Sequence, residues 1–139
     1  MGPDLKEAFL RQLGLAKRAG RAELGEDGLS GAAAAGKARL VLLASDAAEN
    51  SVRRARNFTE GSHAVVLSVP FTKEELGTAC GRGSCAMLAI TESGLALSAA
   101  EKLAEAFPGK YDEAVQALQA KDERIRQRRG KKRPRKTES

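Results

Sequence analysis

Three short apolar runs, set apart by helix-forming stretches, restrict this chain more than any other feature of its sequence. Leu40 to Ala44 reads Leu-Val-Leu-Leu-Ala between Arg39 and Ser45, His63 to Val69 is a second run closed by Pro70, and Cys85 to Ile90 is a third. Apolar runs of this length without alternation suit strands covered on both faces, and the first should be central. Between them, Asp46 with Glu49 and Thr72 with Glu75 have capping-box spacing, in which two side chains reciprocally satisfy backbone N–H groups at a helix start. The first pair predicts a helix over 47–56 with Arg53, Arg54 and Arg56 outward, and the second a helix that stops at Gly81. Strands alternating with helices in this way predict an α/β protein, a small three-layer α/β/α sandwich.

The flanks extend the pattern. Pro3 and Asp4 suit a helix start, and Leu5, Phe9, Leu13 and Ala16 then share one face until Gly20. Ala22 to Leu24 fits a short strand, followed by a second helix from about Glu26 to Ala35 with Gly36 as its stop. Glu26 and Asp27 lie in its first turn, where the helix dipole favours acids. Gly28 and Gly31 weaken it by about 1 kcal/mol each relative to alanine. Downstream, Ser98 with Glu101 repeats the capping spacing for a helix ending before Pro108, and Tyr111 to about Arg128 reads as a last helix. The chain therefore divides into a domain over 1–98, a C-terminal helical extension over 99–127 and a basic tail over 128–139, expected to be disordered when alone.

Charge is concentrated at one end. Residues 121–139 carry ten Lys or Arg against three acids, a balance of +7 within a net charge of +6, so residues 1–120 sum to −1. Such a tail is attracted to polyanions. Nucleic acid fits better than a membrane surface, because the only large apolar residue in the tail is Ile125. No apolar run approaches the roughly 20 residues of a membrane span, and the charged Asp4, Lys6, Glu7 start lacks signal-peptide character, which points to the cytoplasm.

Catalysis and metal binding find no foothold. Cys80 and Cys85 with the single His63 are too few for a zinc site, their spacing is not a redox Cys-x-x-Cys, and both cysteines read as small buried hydrophobes. His63, at the entry to an apolar strand, reads as structural. The sequence has no nucleophile elbow, no Walker loop and no dinucleotide fingerprint, so neither an enzyme nor a cofactor is expected.

Two separated blocks carry a family likeness. Leu-Gly-Leu-Ala-Lys-Arg-Ala-Gly-Arg from Leu13, Leu-Gly-Glu-Asp-Gly from Leu24 and Ala-Gly-Lys-Ala-Arg-Leu-Val-Leu-Leu-Ala-Ser-Asp-Ala-Ala-Glu-Asn ending at Asn50 form the first. Lys-Glu-Glu-Leu-Gly-Thr-Ala-Cys-Gly at 73–81 and Ala-Met-Leu-Ala-Ile-Thr at 86–91 form the second. Over about residues 5–98 the chain resembles the bacterial YlxQ-type branch of the kink-turn-binding ribosomal-protein family, the group of archaeal L-seven-Ae and eukaryotic L-thirty-e.

The resemblance implies an α/β/α sandwich that binds structured RNA, typically a kinked duplex. Carried onto this chain, the RNA-facing residues are Gly25, Glu26, Asp27 and Gly28 at the start of the second helix, Lys37 beside them, and the loop Arg82, Gly83, Ser84 and Cys85 on the other side. A helix N-terminus presents free N–H groups to phosphate or base edges, and glycine lets backbone approach closely. Archaeal members read bases with an Asn-Glu pair and a lysine in that helix, where this chain has Asp27, Gly28 and Gly31. The residues of Gly25 to Gly28 equally fit a plain strand-to-helix turn.

The expectation is a non-catalytic, monomeric RNA-binding protein associated with ribosomal RNA and the ribosome, with the tail adding phosphate contacts. Its rivals are a protein-interaction adaptor that keeps the fold without specific RNA recognition, and a module separated from a larger RNA-modifying enzyme.

Overall fold

A computed structural model describes the backbone of residues 3–138 and the side chains of residues 4–129. In chain order its elements are α1 (Pro3–Arg18), β1 (Ala22–Leu24), α2 (Gly25–Ala34), β2 (Leu40–Leu43), α3 (Glu49–Thr59), β3 (Val65–Ser68), α4 (Lys73–Ala79), β4 (Met87–Ile90), α5 (Ser93–Ala106) and α6 (Asp112–Glu138). The strands form one sheet in the order β1-β4-β2-β3. β2 runs parallel to β3 and antiparallel to β4, which in turn pairs antiparallel with β1.

The apolar runs are continuous because the sheet is covered on both faces. Leu40, Leu42, Leu88 and Ile90 point to one side, where they meet Phe9 and Leu13 of α1, Leu76 of α4, Ala96, Ala99 and Leu103 of α5, and Leu118 of α6. Val41, Leu43, Met87 and Ala89 point to the other, against Leu29 and Ala32 of α2 and Ala55 of α3. This is the expected three-layer α/β/α sandwich. β2 is buried throughout, as a central strand should be, whereas β3 is an edge strand and only half-buried. An aromatic series ties the larger helical layer together: Phe9 stacks on Phe71 at 5.2 Å, Phe71 meets Phe107 edge-on at 6.1 Å, and Phe107 meets Tyr111 at 6.4 Å.

Both helices that flank β1 stop at glycine. The Gly20 N–H donates to the Lys17 carbonyl and the Arg21 N–H to Ala16, and Gly36 and Lys37 repeat the arrangement on Ala33 and Ala32. At helix starts the three expected capping boxes fare differently. Thr72 and Glu75 form theirs in full. Asp46 does not cap α3, which begins at Glu49 behind Ala48; its carboxylate instead accepts from the Lys73 N–H at 2.8 Å, tying the β2–α3 loop to α4. Ser98 lies inside α5, whose cap is Glu92, accepting from the Leu95 N–H at 2.7 Å.

That last displacement changes the organisation of the chain. α5 crosses residue 98 and buries residues on both sides of it, and Leu118 of α6 belongs to the same core, so the packing has no break at the expected domain boundary. α6 also continues to Glu138, past the end expected near Arg128. The side chains of the basic tail beyond Arg129 lie outside those described, as does the expectation that the tail is disordered when alone.

Candidate nucleic-acid interface

Chain direction places the glycine-rich start of α2 and the loop before β4 at the same end of the sheet. Leu24, the last residue of β1, is paired with Leu88 near the start of β4, so Gly25 emerges beside the 82–85 loop. Gly25 takes φ +78°, a conformation that glycine adopts without strain, and this turns the chain directly from strand into helix. Leu24 offers no side-chain cap, which leaves first-turn N–H groups of α2 open toward the surface.

The 82–85 loop is held against α4. The Arg82 N–H donates to the Gly77 carbonyl at 2.7 Å and the Cys85 N–H to that of Lys73 at 2.9 Å. Gly77 is required by the approach, because a Cβ there would stand 2.6 Å from the Ser84 nitrogen. Arg82 therefore projects from a fixed base.

Together these segments enclose a shallow concavity of about 860 Å³ lined by Gly25, Glu26, Asp27, Gly28 and Arg82, with Lys17 and Glu23 completing its walls. Its cations are Lys17, from the last turn of α1, and Arg82, from the loop before β4. Of its acids, Glu26 is turned toward α3, where its carboxylate pairs with Arg54 at 2.9 Å. Arg54 faces outward on α3, as expected, and reaches this carboxylate across the surface.

The remaining expected residues distribute less evenly. Cys85 is buried under the site; its thiol donates to the Met87 carbonyl at 3.1 Å. Burial pushes the Cys85 thiol pKa up, against the opposing pull of backbone hydrogen bonds from Gly25 and Met87. Gly83 lines a separate groove between α1 and α4, and Ser84 is exposed on the loop without lining the concavity. Lys37 is a correction. It follows Gly36 at the opposite end of α2, about 15 Å of helix from Gly25, so it does not stand beside the helix start.

Lys17 and Glu23 escaped sequence reasoning, since nothing local shows that the last turn of α1 lines the same concavity as the first turn of α2. The glycines at 28 and 31 also separate. A Cβ at Gly28 would come within 3.0 Å of the Glu23 backbone, whereas at Gly31 it would meet nothing within 4 Å. Gly28 is a close contact between β1 and α2, and Gly31 is open helix surface.

The fold and this strand-to-helix end define a class: an α/β/α sandwich presenting an uncapped helix N-terminus beside a clamped cationic loop. The chain belongs to the ribosomal protein L7Ae/L30e/S12e/Gadd45 family, whose sequence profile matches residues 7–99. Among solved structures, a protein with unknown function from Bacillus halodurans C is 26% identical with a TM-score of 0.63, covering 68% of this chain and 95% of that one. The Giardia lamblia 15.5kD RNA binding protein is 20% identical with a TM-score of 0.58, covering 85% and 92% respectively. No curated protein sequence matches the chain. Among the described residues no helix is long and apolar enough to cross a membrane.

Proposed function

We propose that this protein is a non-catalytic RNA-binding protein of the ribosome, docking on structured ribosomal RNA through the end of the sheet where α2 begins. The observation that carries the reading is the uncapped first turn of α2 opening into a concavity flanked by Lys17 and Arg82. Helix N–H groups can donate to phosphate or base acceptors there, the helix dipole favours the anion, and the two cations add charge-assisted contacts. Membership of a ribosomal-protein family supports the same partner. Kink-turn RNA falls within the class, but Asp27, Gly28 and Gly31 supply no Asn-Glu-Lys reading set, so shape and backbone dominate recognition. The only large apolar side chain standing exposed among the described residues is Leu15, which supports a monomer.

One observation favours the adaptor reading as the runner-up. With Glu26 paired to Arg54, Glu23 and Asp27 still balance Lys17 and Arg82 around the concavity, and unpaired carboxylates repel phosphate. A gel shift on ribosomal RNA with excess tRNA separates the two. RNA docking predicts that Arg82→Glu and Lys17→Glu each weaken binding by on the order of 1 to 3 kcal/mol, while Lys37→Glu, at the far end of α2, changes it little. Wild-type affinity in both Arg82→Glu and Lys17→Glu would leave the adaptor standing.

A further inference from the structure

The opposite end of the sheet is more cationic than the end just described. Arg21 precedes β1, Arg39 precedes β2, and Thr91 follows β4; the Arg39 N–H donates to Ile90 and the Thr91 N–H to Arg21, which holds these segments side by side. α6 passes over them. Two adjoining concavities result, of about 470 and 440 Å³, sharing Arg39, Ser93, Ile125 and Arg128. Lys121 and Arg124 line the first, Arg21 and Arg129 the second.

Six cations thus face one groove. Glu92 is the acid on its walls, and its carboxylate is engaged by the Leu95 N–H as the cap of α5. Along α6, Asp122 pairs with Arg126 at 3.1 Å, and neither it nor Glu123 lines the groove. The Arg39 Nε is buried without a hydrogen-bond partner among the described residues, an arrangement that costs free energy until an acceptor is supplied. The Lys121 ammonium donates to the His63 carbonyl, and its pKa is lowered by burial and by the like charges of Arg124 and Arg39. Charges that repel one another have been assembled, and α5 begins at Ser93 with its dipole directed at the same place.

We propose that this groove is a second RNA contact, holding phosphates of one strand, so that the protein touches RNA at both ends of its sheet. Arginine forks match phosphate oxygens, and the groove has Leu118 and Ile125 but no aromatic anchor for a peptide. From Lys121 to Arg129 the helix advances about 12 Å, enough to follow several consecutive phosphates. The strands separate this groove from the α2 end by about 13 Å, so one phosphate cannot occupy both sites. The inference goes beyond the proposed docking end and does not depend on it.

The test uses the full chain, an RNA hairpin with an internal loop as probe, and binding measured across a salt series. The double variant Arg124→Glu/Arg128→Glu alters only exposed side chains and should fold normally; Arg39→Gln removes the guanidinium whose Nε is buried, and does so more gently. The double variant should lose about tenfold or more in affinity and flatten the slope of log affinity against log salt by about 2. Arg39→Gln should lose less in the same direction, and Lys110→Glu on the exposed α5–α6 turn should bind as wild type. An unchanged salt slope in the double variant overturns the groove even if Arg82→Glu weakens binding. Loss in the double variant with wild-type affinity in both Arg82→Glu and Lys17→Glu supports the groove and removes the α2 end. Polyglutamate binding the wild type more tightly than the hairpin does at equal charge concentration, with only the polyglutamate binding lost in the double variant, would show a groove for acidic protein and overturn the RNA assignment.

Discussion

Gly28 and Gly31 carry the same helix penalty when read in sequence, yet the fold gives them opposite meanings. Nothing stands within 4 Å of a Cβ placed at Gly31, so Gly31→Ala recovers the helix propensity without a clash. Its unfolding free energy should rise by about 0.5–1 kcal/mol, seen as a higher urea midpoint at unchanged slope. Gly28→Ala should gain nothing, because the added carbon presses on Glu23. Cys80 gives a pH prediction. Burial first, and the neighbouring Cys85 second, push its thiol pKa from near 9 up to about 11. The folded state holds the proton that the unfolded state releases, so this contribution is complete below pH 9 and fades as pH rises toward 11. Thermal melts across that interval should show a decline that Cys80→Ala reduces. At neutral pH the same shift keeps the thiol protonated, in keeping with its reading as a small buried hydrophobe.

Helix boundaries show where local reading stops working. Asp46–Glu49, Thr72–Glu75 and Ser98–Glu101 share one spacing, but only the second forms a capping box. Asp46 finds a better partner in the Lys73 N–H, which is far away in sequence, and Ser98 falls inside a helix that Glu92 has already started. A cap is a competition among acceptors, and the competitors are supplied by the tertiary fold. Strands were more legible because burial on both faces leaves a continuous apolar run whatever the neighbours are. Even so, β3 looks like β2 in sequence and occupies an edge, since order within a sheet depends on pairing and not on composition. The stops at Gly20 and Gly36 were legible for a local reason: each requires a positive φ at the residue that ends the helix.

At the scale of the molecule, the C-terminal helices are part of the core. Ala99, Ala100 and Leu103 are fully buried, and Leu118 nearly so. A chain ending at residue 98 should therefore fail to show a cooperative thermal transition, and Leu103→Ala in the full chain should cost about 2–5 kcal/mol, measured by denaturant unfolding. A folded, cooperative 1–98 fragment would mean that the sheet and its remaining helices suffice. The basic segment also changes character in three dimensions. Its Lys121, Arg124 and Arg128 join Arg39, from the part of the chain that sums to −1, in one groove.

By itself the sequence determined the three-layer sandwich, the glycine stops, the Thr72 cap and the pairing of the Gly25–Gly28 segment with Arg82. The first three follow from local backbone chemistry or from the burial pattern, and the last is what the resemblance to the family implied. Only the tertiary structure decided that Lys37 stands a helix length from the site, that Lys17 and Glu23 wall it, that Glu26 turns to Arg54, and that Arg39 lies under α6. Those facts depend on which strand ends and helix faces converge, and convergence is set by packing between residues distant in the chain, which no local pattern encodes.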